Sequence, residues 1–407
     1  MTGPGEPPRL GIRHVLGHPG YRRLWAARTV SQWGDTFNFV ALALLIYRLT
    51  GSGVGVTGVV VAEIAGVLLV APWAGPVIDR HSRVRIMVTA DLARMTLCLV
   101  LALAHTHVVV VYAVAFGLSA GSAFFNPAAG SLLPALVDSD ELVAANSGIW
   151  TAAVLSQIAL APIAGLLVTT AGVGIAFALN AASFAVSAAV LANLPTVRPP
   201  GAVPRRRLLA ESRDGLALVG GDRLLRALAT GQLLAALSAG ATSALLVVLA
   251  VRHLRLAPSG YGLLIAAIGI GAALGPLVLL RLVEDARRPV WVFGPYLLRG
   301  FVDLLLAVTT ALPVALAALV AYGLGTSTGT VSFNSLLQTR TPEPMRGRVF
   351  ATMDVLWQVG RLVSLGIGGF LADAIGISAV FYLGGGLLLV AGLVGLTAVR
   401  AEPPPAC

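Results

Sequence analysis

Apolar residues gather into twelve long stretches separated by short polar segments, at about 22–48, 54–78, 84–104, 108–128, 141–169, 174–194, 224–251, 259–281, 290–311, 313–336, 349–372 and 377–399. Runs such as Val54 to Ile78, Val84 to Ala104 and Leu233 to Val251 reach the roughly 20 apolar residues that a hydrocarbon core demands. Inside lipid, backbone polar groups have to be satisfied within the segment, which a helix does. The pattern therefore predicts an all-α polytopic membrane protein of twelve transmembrane helices, with the lipid bilayer as its solvent.

Composition excludes the soluble alternative, because 57% hydrophobic and 11% charged residues over 407 positions is too apolar for a water-soluble domain. The net charge of +10 comes from 28 arginines and no lysine, and its placement reports topology. With the amino terminus in the cytoplasm, 20 arginines fall on that side and three, Arg48, Arg252 and Arg255, on the other. Both termini are then expected in the cytoplasm of a bacterial plasma membrane. The loop holding Asp138, Asp140 and Glu141 carries no arginine, but acidic residues contribute little to orientation. No basic face with an aromatic platform is present, so nucleic acid is not an expected partner. The first 20 residues have Arg9 and Arg13 but no apolar core, so a cleavable leader is not expected. Cys98 and Cys407 lack ligand spacing, and His105 with His107 reads as a solvated outer-loop pair. No disulfide, metal or cofactor is assigned.

The polar segment Pro195 to Asp222, with Pro199-Pro200-Gly201 and Arg205 to Arg207, divides the chain into residues 1–194, a cytoplasmic linker 195–223, and residues 224–407. The halves resemble each other. Ser122-Ala123-Phe124-Phe125-Asn126 matches Thr330-Val331-Ser332-Phe333-Asn334, Gly165 and Gly172 match Gly369 and Gly376, and Arg94 matches Arg299. Near-constant offsets predict two pseudo-symmetric six-helix bundles, an architecture in which a substrate path lies between the repeats.

Charges within such spans cost roughly 2.5–3.5 kcal/mol at a helix centre, so each needs a partner or a task. Arg28, Gln32 and Asp35 form one stripe on the first span, broadened by Asn38, and Glu63 sits mid-span in the second among apolar neighbours. Asp35 and Glu63 are the candidate proton carriers; the alternative for each is a structural partner, such as Asp35 to Arg28. Asp354, Trp357, Gln358 and Arg361 make a second stripe on the eleventh span, and Asn126, Trp150, Gln157 and Asn334 join these as cavity candidates. Trp33, Phe37, Phe39, Trp150 and Trp357 either line an amphipathic cavity or serve as packing and interface anchors. Asp91 with Arg94, and Arg299 with Asp303, are read as mutually neutralising pairs at i,i+3 and i,i+4.

Between the second and third spans lies Gly75-Pro76-Val77-Ile78-Asp79-Arg80-His81-Ser82-Arg83-Val84-Arg85, a tight turn with one acid among bases. At Gly75, Asp79, Arg80, Arg83 and Arg85 it resembles the signature loop of the major facilitator superfamily, and the six-plus-six plan extends that resemblance over the chain. In that family the loop is a latch between the halves. The equivalent loop at Arg281 to Arg288 keeps charge but loses the glycine-aspartate spacing. Gln157 to Gly165, with Pro162 and Gly165 as a helix-bending pair, is similar to the family's antiporter motif, with Ala161 where glycine usually precedes the proline. Arg22-Arg23-Leu24-Trp25 and Gln32-x-Gly34-Asp35 resemble its drug and siderophore exporters. The resemblance implies a monomeric secondary transporter with alternating access, exporting an amphiphilic small molecule against protons. Proton-coupled nutrient uptake uses the same fold and acids and stands as the alternative. ATP drive is excluded by the absence of a phosphate-binding Gly-x-x-x-x-Gly-Lys loop, and an intramembrane enzyme by the absence of a nucleophile or zinc motif.

Overall fold

The computed structural model describes residues 12–194, 216–283, 285 and 287–400. Within them the predicted stretches are helices: α1 (Pro19–Thr50), α2 (Gly53–Arg80), α3 (Arg83–Ala104), α4 (Val108–Leu132), α5 (Leu142–Ala171), α6 (Val173–Ala192), α7 (Arg223–Ala244), α8 (Pro258–Leu282), α9 (Val290–Val308), α10 (Leu312–Arg340), α11 (Arg346–Ala374) and α12 (Ile377–Arg400). Among the described residues there is no strand. Most of the linker 195–223 lies outside the described residues, as does Cys407.

Eleven of these helices are long and apolar enough to cross a membrane. The one left over is α1, although at 32 residues it is the longest. Its stripe of Arg28, Gln32, Asp35 and Asn38, added to Arg22 and Arg23, dilutes the apolar surface that the other helices keep. Bare outward side chains such as Leu103, Leu280 and Phe370, 88%, 82% and 68% exposed, suit a lipid surround and no aqueous one.

One predicted span changes character toward its end. The stretch 224–251 is a regular helix to Ala244, resumes as a short helical segment over Leu246–Val248, and closes in a π-helix at Leu249–His253. The wider π turn is completed by Arg255 at φ 51°, a left-handed conformation uncommon outside glycine. Arg252 lies in the last turn of this π-helix.

Contacts divide the chain into two units, residues 1–45 with 62–202, and residues 46–61 with 203–407. In the first unit α3 packs on α4 and α6; in the second, α9 packs on α10 and α12, and α7 on α11 and α12. Each has its own apolar cluster, one around Tyr21, Met87, Phe125 and Leu132, the other around Leu228, Phe293, Leu337 and Met353.

The internal repeat is visible in the backbone. Gly172 after α5 and Gly376 after α11, separated by 204 positions, both sit at positive φ, 84° and 119°, where a side chain is strained. Gly66 of α2 presses on the backbone of Phe116 in α4, and Gly271 of α8, 205 positions later, presses on Val320 in α10. Close helix approach at small residues is how apolar helices associate in lipid.

Candidate transport and coupling site

The first unit buries a polar network between α1, α3, α4 and α6. Arg94 and Asp91 of α3, 3% and 0% exposed, form an ion pair. Ser187 Oγ of α6 donates to Asp91 Oδ2 at 2.6 Å, and the Arg94 guanidinium reaches Ser122 Oγ of α4 at 3.4 Å. The same guanidinium lies 4.6 Å from the Phe125 ring centre and 4.3 Å from that of Phe184, within the range of cation–π attraction. Gly121 makes room for it, since a Cβ there would come 2.7 Å from Arg94 Cγ.

Asp35 of α1 joins this network. It is half-buried, with Arg94, Asp91 and Asn180 as its electrostatic neighbours. Asn180 is fully buried, donating to Cys98 Sγ at 3.4 Å and accepting from Ser183 Oγ at 3.2 Å. Gly34 brings α1 to this face of α6, because a Cβ at position 34 would collide with Ser183 and Asn180. The alternative reading, Asp35 paired with Arg28, has no ion pair among the described residues; the charge that acts on Arg28 is Arg94. Two carboxylates and two arginines therefore gather across α1 and α3.

The second unit places an arginine and an aspartate at the corresponding depth of α9, yet they part. Arg299 and Asp303, 6% and 1% exposed, make no ion pair among the described residues. Arg299 donates to Tyr322 Oη of α10 at 3.0 Å, and Asp303 accepts from Ser238 Oγ of α7 at 3.4 Å. The i,i+4 pair read from the sequence is therefore not a contact ion pair, although each charge remains an electrostatic neighbour of the other. Side chains on a helix lean toward its amino terminus, so Arg94 leans back onto Asp91 before it, whereas Arg299 leans away from Asp303 after it. A cavity of about 210 Å³ lies beside Ser238, lined also by Ala241, Ser364 and Gly384, below the roughly 300–1,000 Å³ of ordinary ligand pockets.

The remaining predicted residues are spread over both units. Arg28, Gln32, Asn38, Glu63 and Gln157 are half-buried, Trp150 and Asn126 exposed, and Asn38 Oδ1 is buried without a hydrogen-bond partner. Pro162 lies inside α5, which runs unbroken through it, and Gly165 is buried. In the second unit Asn334, Trp357, Gln358 and Arg361 are half-buried and Asp354 is exposed. In the candidate latch Arg80 and Arg85 are exposed, while Arg83 is buried with an unpartnered Nε; the Asp79 side chain lies outside the described ones. A Cβ at Gly75 would meet nothing within 4 Å, so no neighbouring helix presses on it. α2 runs on through Pro72 and Pro76 to Arg80, and Ser82 caps α3.

Sequence reasoning missed a clasp in the second unit. Asp373, at the end of α11, accepts from the amides of Gly53 at 2.7 Å and Val54 at 3.1 Å, capping the start of α2 and its orphan N–H groups. Arg252 pairs with Asp373 at 3.4 Å, donates to Tyr47 Oη at 2.8 Å and to the Gly51 carbonyl. Arg252 had served only as a topology marker, and Asp373 is an unremarkable acid at a helix end; no local signal joins positions so far apart.

A profile of the family described as transmembrane secretion effector, of the major facilitator type, matches residues 15–402. The enterobactin exporter EntS of Shigella boydii serotype 4 (strain Sb227) is 28% identical over 97% of both chains, and that of Escherichia coli O139:H28 (strain E24377A / ETEC) equally so. Among solved structures, the fold is similar to that of a bacterial homologue of the iron transporter ferroportin, at 17% identity and TM-score 0.73 over 93% of this chain and 98% of that one. It is likewise similar to a bacterial homolog of the human lysosomal transporter Spinster, at 14% identity and TM-score 0.72 over 99% and 100% of the two chains. Helices of membrane length among the described residues, a charged network buried between them and a family match across nearly the whole chain agree: this protein belongs to the transmembrane secretion effectors of the major facilitator superfamily, and is a multi-pass transporter, not an enzyme.

Proposed function

We propose that the protein is a proton-coupled exporter of an amphiphilic small molecule, a siderophore or a drug, working by alternating access in a bacterial plasma membrane with both termini in the cytoplasm. The observation that carries this reading is the likeness to enterobactin exporters over 97% of the chain. Residues 1–194 and 224–407 act as the two moving halves, and the loop from Gly75 to Arg85 latches one access state, with Arg83 as its principal arginine.

The coupling site is Asp35 with the Asp91–Arg94 pair. With all four groups ionised, Arg28 and Arg94 balance Asp35 and Asp91. A proton taken by Asp35 leaves the cluster one charge positive, and an unbalanced charge among membrane helices is costly. Protonation therefore favours a rearrangement of α1, and deprotonation restores the balance. Glu63 on α2 is a second carrier reached from the same side. The drive is sufficient, at about 1.36 kcal/mol per pH unit and about 2.3 kcal/mol per charge per 100 mV. Half-buried Gln32, Asn38 and Gln157 in the first unit and Asn334, Trp357, Gln358 and Arg361 in the second supply the polar and aromatic contacts that such a substrate needs.

The test is accumulation of a fluorescent cationic dye and of an iron-free siderophore in energised inside-out vesicles, with and without the protein. Accumulation abolished by a protonophore supports export. Accumulation in right-side-out vesicles alone moves the assignment to uptake.

A further inference from the structure

The short helix Ile12–Val15 and the turn after it bring two histidines to one buried carboxylate. His14 Nε2 lies 3.0 Å from Glu141 Oε1; His18 Nε2 lies 3.0 Å from Oε2 and 3.1 Å from Oε1. One donor atom from each of the three residues falls within 4.8 Å of the others. The Glu141 side chain is 3% exposed, while His14 is 59% and His18 39% exposed, so the carboxylate is fixed from below and the imidazoles close over it from solvent.

We propose that His14, His18 and Glu141 form a binding site for a divalent transition-metal ion of the zinc class. The donor set is two imidazole nitrogens and one carboxylate, the mixture that zinc accepts. Bonds of about 2.0–2.1 Å in tetrahedral geometry set neighbouring donors roughly 3.3 Å apart. The observed nitrogen–oxygen separations of 3.0–3.1 Å need only a small spread to admit the ion. The exposed side leaves a position for water and a route of entry.

Glu141 is already oriented for this task. Its Oε2 accepts the Asp138 amide at 3.0 Å in a capping box, the outer-shell contact that holds a ligating carboxylate. The frame beneath is rigid: Tyr21 Oη donates to the Ala145 carbonyl at 2.9 Å and Trp25 Nε1 to that of Gly148 at 3.1 Å, tying α1 to α5. A bound ion would staple the segment before α1 to the turn before α5.

The experiment titrates Zn²⁺ into the full-length protein in detergent, free of any polyhistidine tag, following heat of binding and competition with a chromophoric chelator. The wild type should bind one ion per chain, and His14→Gln should weaken binding by more than about tenfold. The control His105→Gln/His107→Gln should leave binding unchanged. Because His14 is exposed, His14→Gln is not expected to impair folding, and its unfolding midpoint without metal checks this. Amide exchange over residues 12–22 should slow on adding Zn²⁺ to the wild type only. Absence of saturable binding in the wild type, or affinity unaltered in His14→Gln, would overturn the proposal.

Discussion

Arg94 and Arg299 stand 205 positions apart, each laid against a glycine of the next helix, Gly121 and Gly325, yet they do different things. Arg94 is locked to Asp91 in a buried ion pair that also faces Asp35. Arg299 turns to the neutral Tyr322, and its nearby aspartate turns to Ser238. The ion pairs of the second unit lie at its edges instead: Arg252–Asp373, with side chains 36% and 27% exposed, and Arg340–Asp222, 43% and 24% exposed. Equivalent positions are thus a charged junction of four helices in the first unit and a hydrogen-bonded packing element in the second. A single reversal, aspartate before the arginine or after it, accounts for much of the difference, since acid before base is the favoured order on a helix.

The sharpest way to break this comparison is to remove both arginines in turn. Arg94→Ala leaves Asp91 buried without its counter-charge and should cost about 3–5 kcal/mol, seen as a large fall in thermal unfolding midpoint in detergent. Arg299→Ala, which strands a tyrosine hydroxyl and an arginine pocket, should cost about 1–3 kcal/mol. Equal losses would mean that the two positions are alike after all.

Gly34 sharpens the first side of it. Gly34→Ala forces a methyl into Ser183 and Asn180 and should cost about 1–3 kcal/mol through overpacking, separating α1 from the network. Gly75→Ala, where the space is open, should stay within about 0.5 kcal/mol of the wild type. On the other side, Asp373→Asn should cost about 1 kcal/mol, as a half-exposed charged cap does, and should raise amide exchange selectively across residues 46–61. The smallest effect belongs to Asp303→Asn, which keeps an acceptor for Ser238 and should cost less than about 1 kcal/mol. Unfolding midpoints and exchange rates on one set of purified variants check all of these.

Much of the fold was legible because long apolar helices announce themselves by length alone, and because the repeat recurs at glycines whose backbone the structure shows to be special, Gly172 and Gly376. The polar stripe of α1 was legible from helical spacing. What faced that stripe was not: Asp35 meets Asn180 and Arg94 through tertiary packing, and the clasp joins Gly53 to Asp373 across 320 positions. His14 and His18 carry no sequence signal of their own, because Glu141, which completes the group, lies more than a hundred residues on. Arg299 and Asp303 neutralise each other without touching for a local reason, the direction in which helical side chains lean.

The central claim is that protons enter through the acids of the first unit and not those of the second. It is tested most directly by comparing gradient-driven accumulation with substrate counterflow in proteoliposomes of wild type, Asp35→Asn and Asp303→Asn. The account predicts that Asp35→Asn abolishes accumulation and its pH dependence while retaining counterflow, and that Asp303→Asn keeps both. Gradient-driven accumulation undiminished in Asp35→Asn, or lost in Asp303→Asn instead, would contradict it.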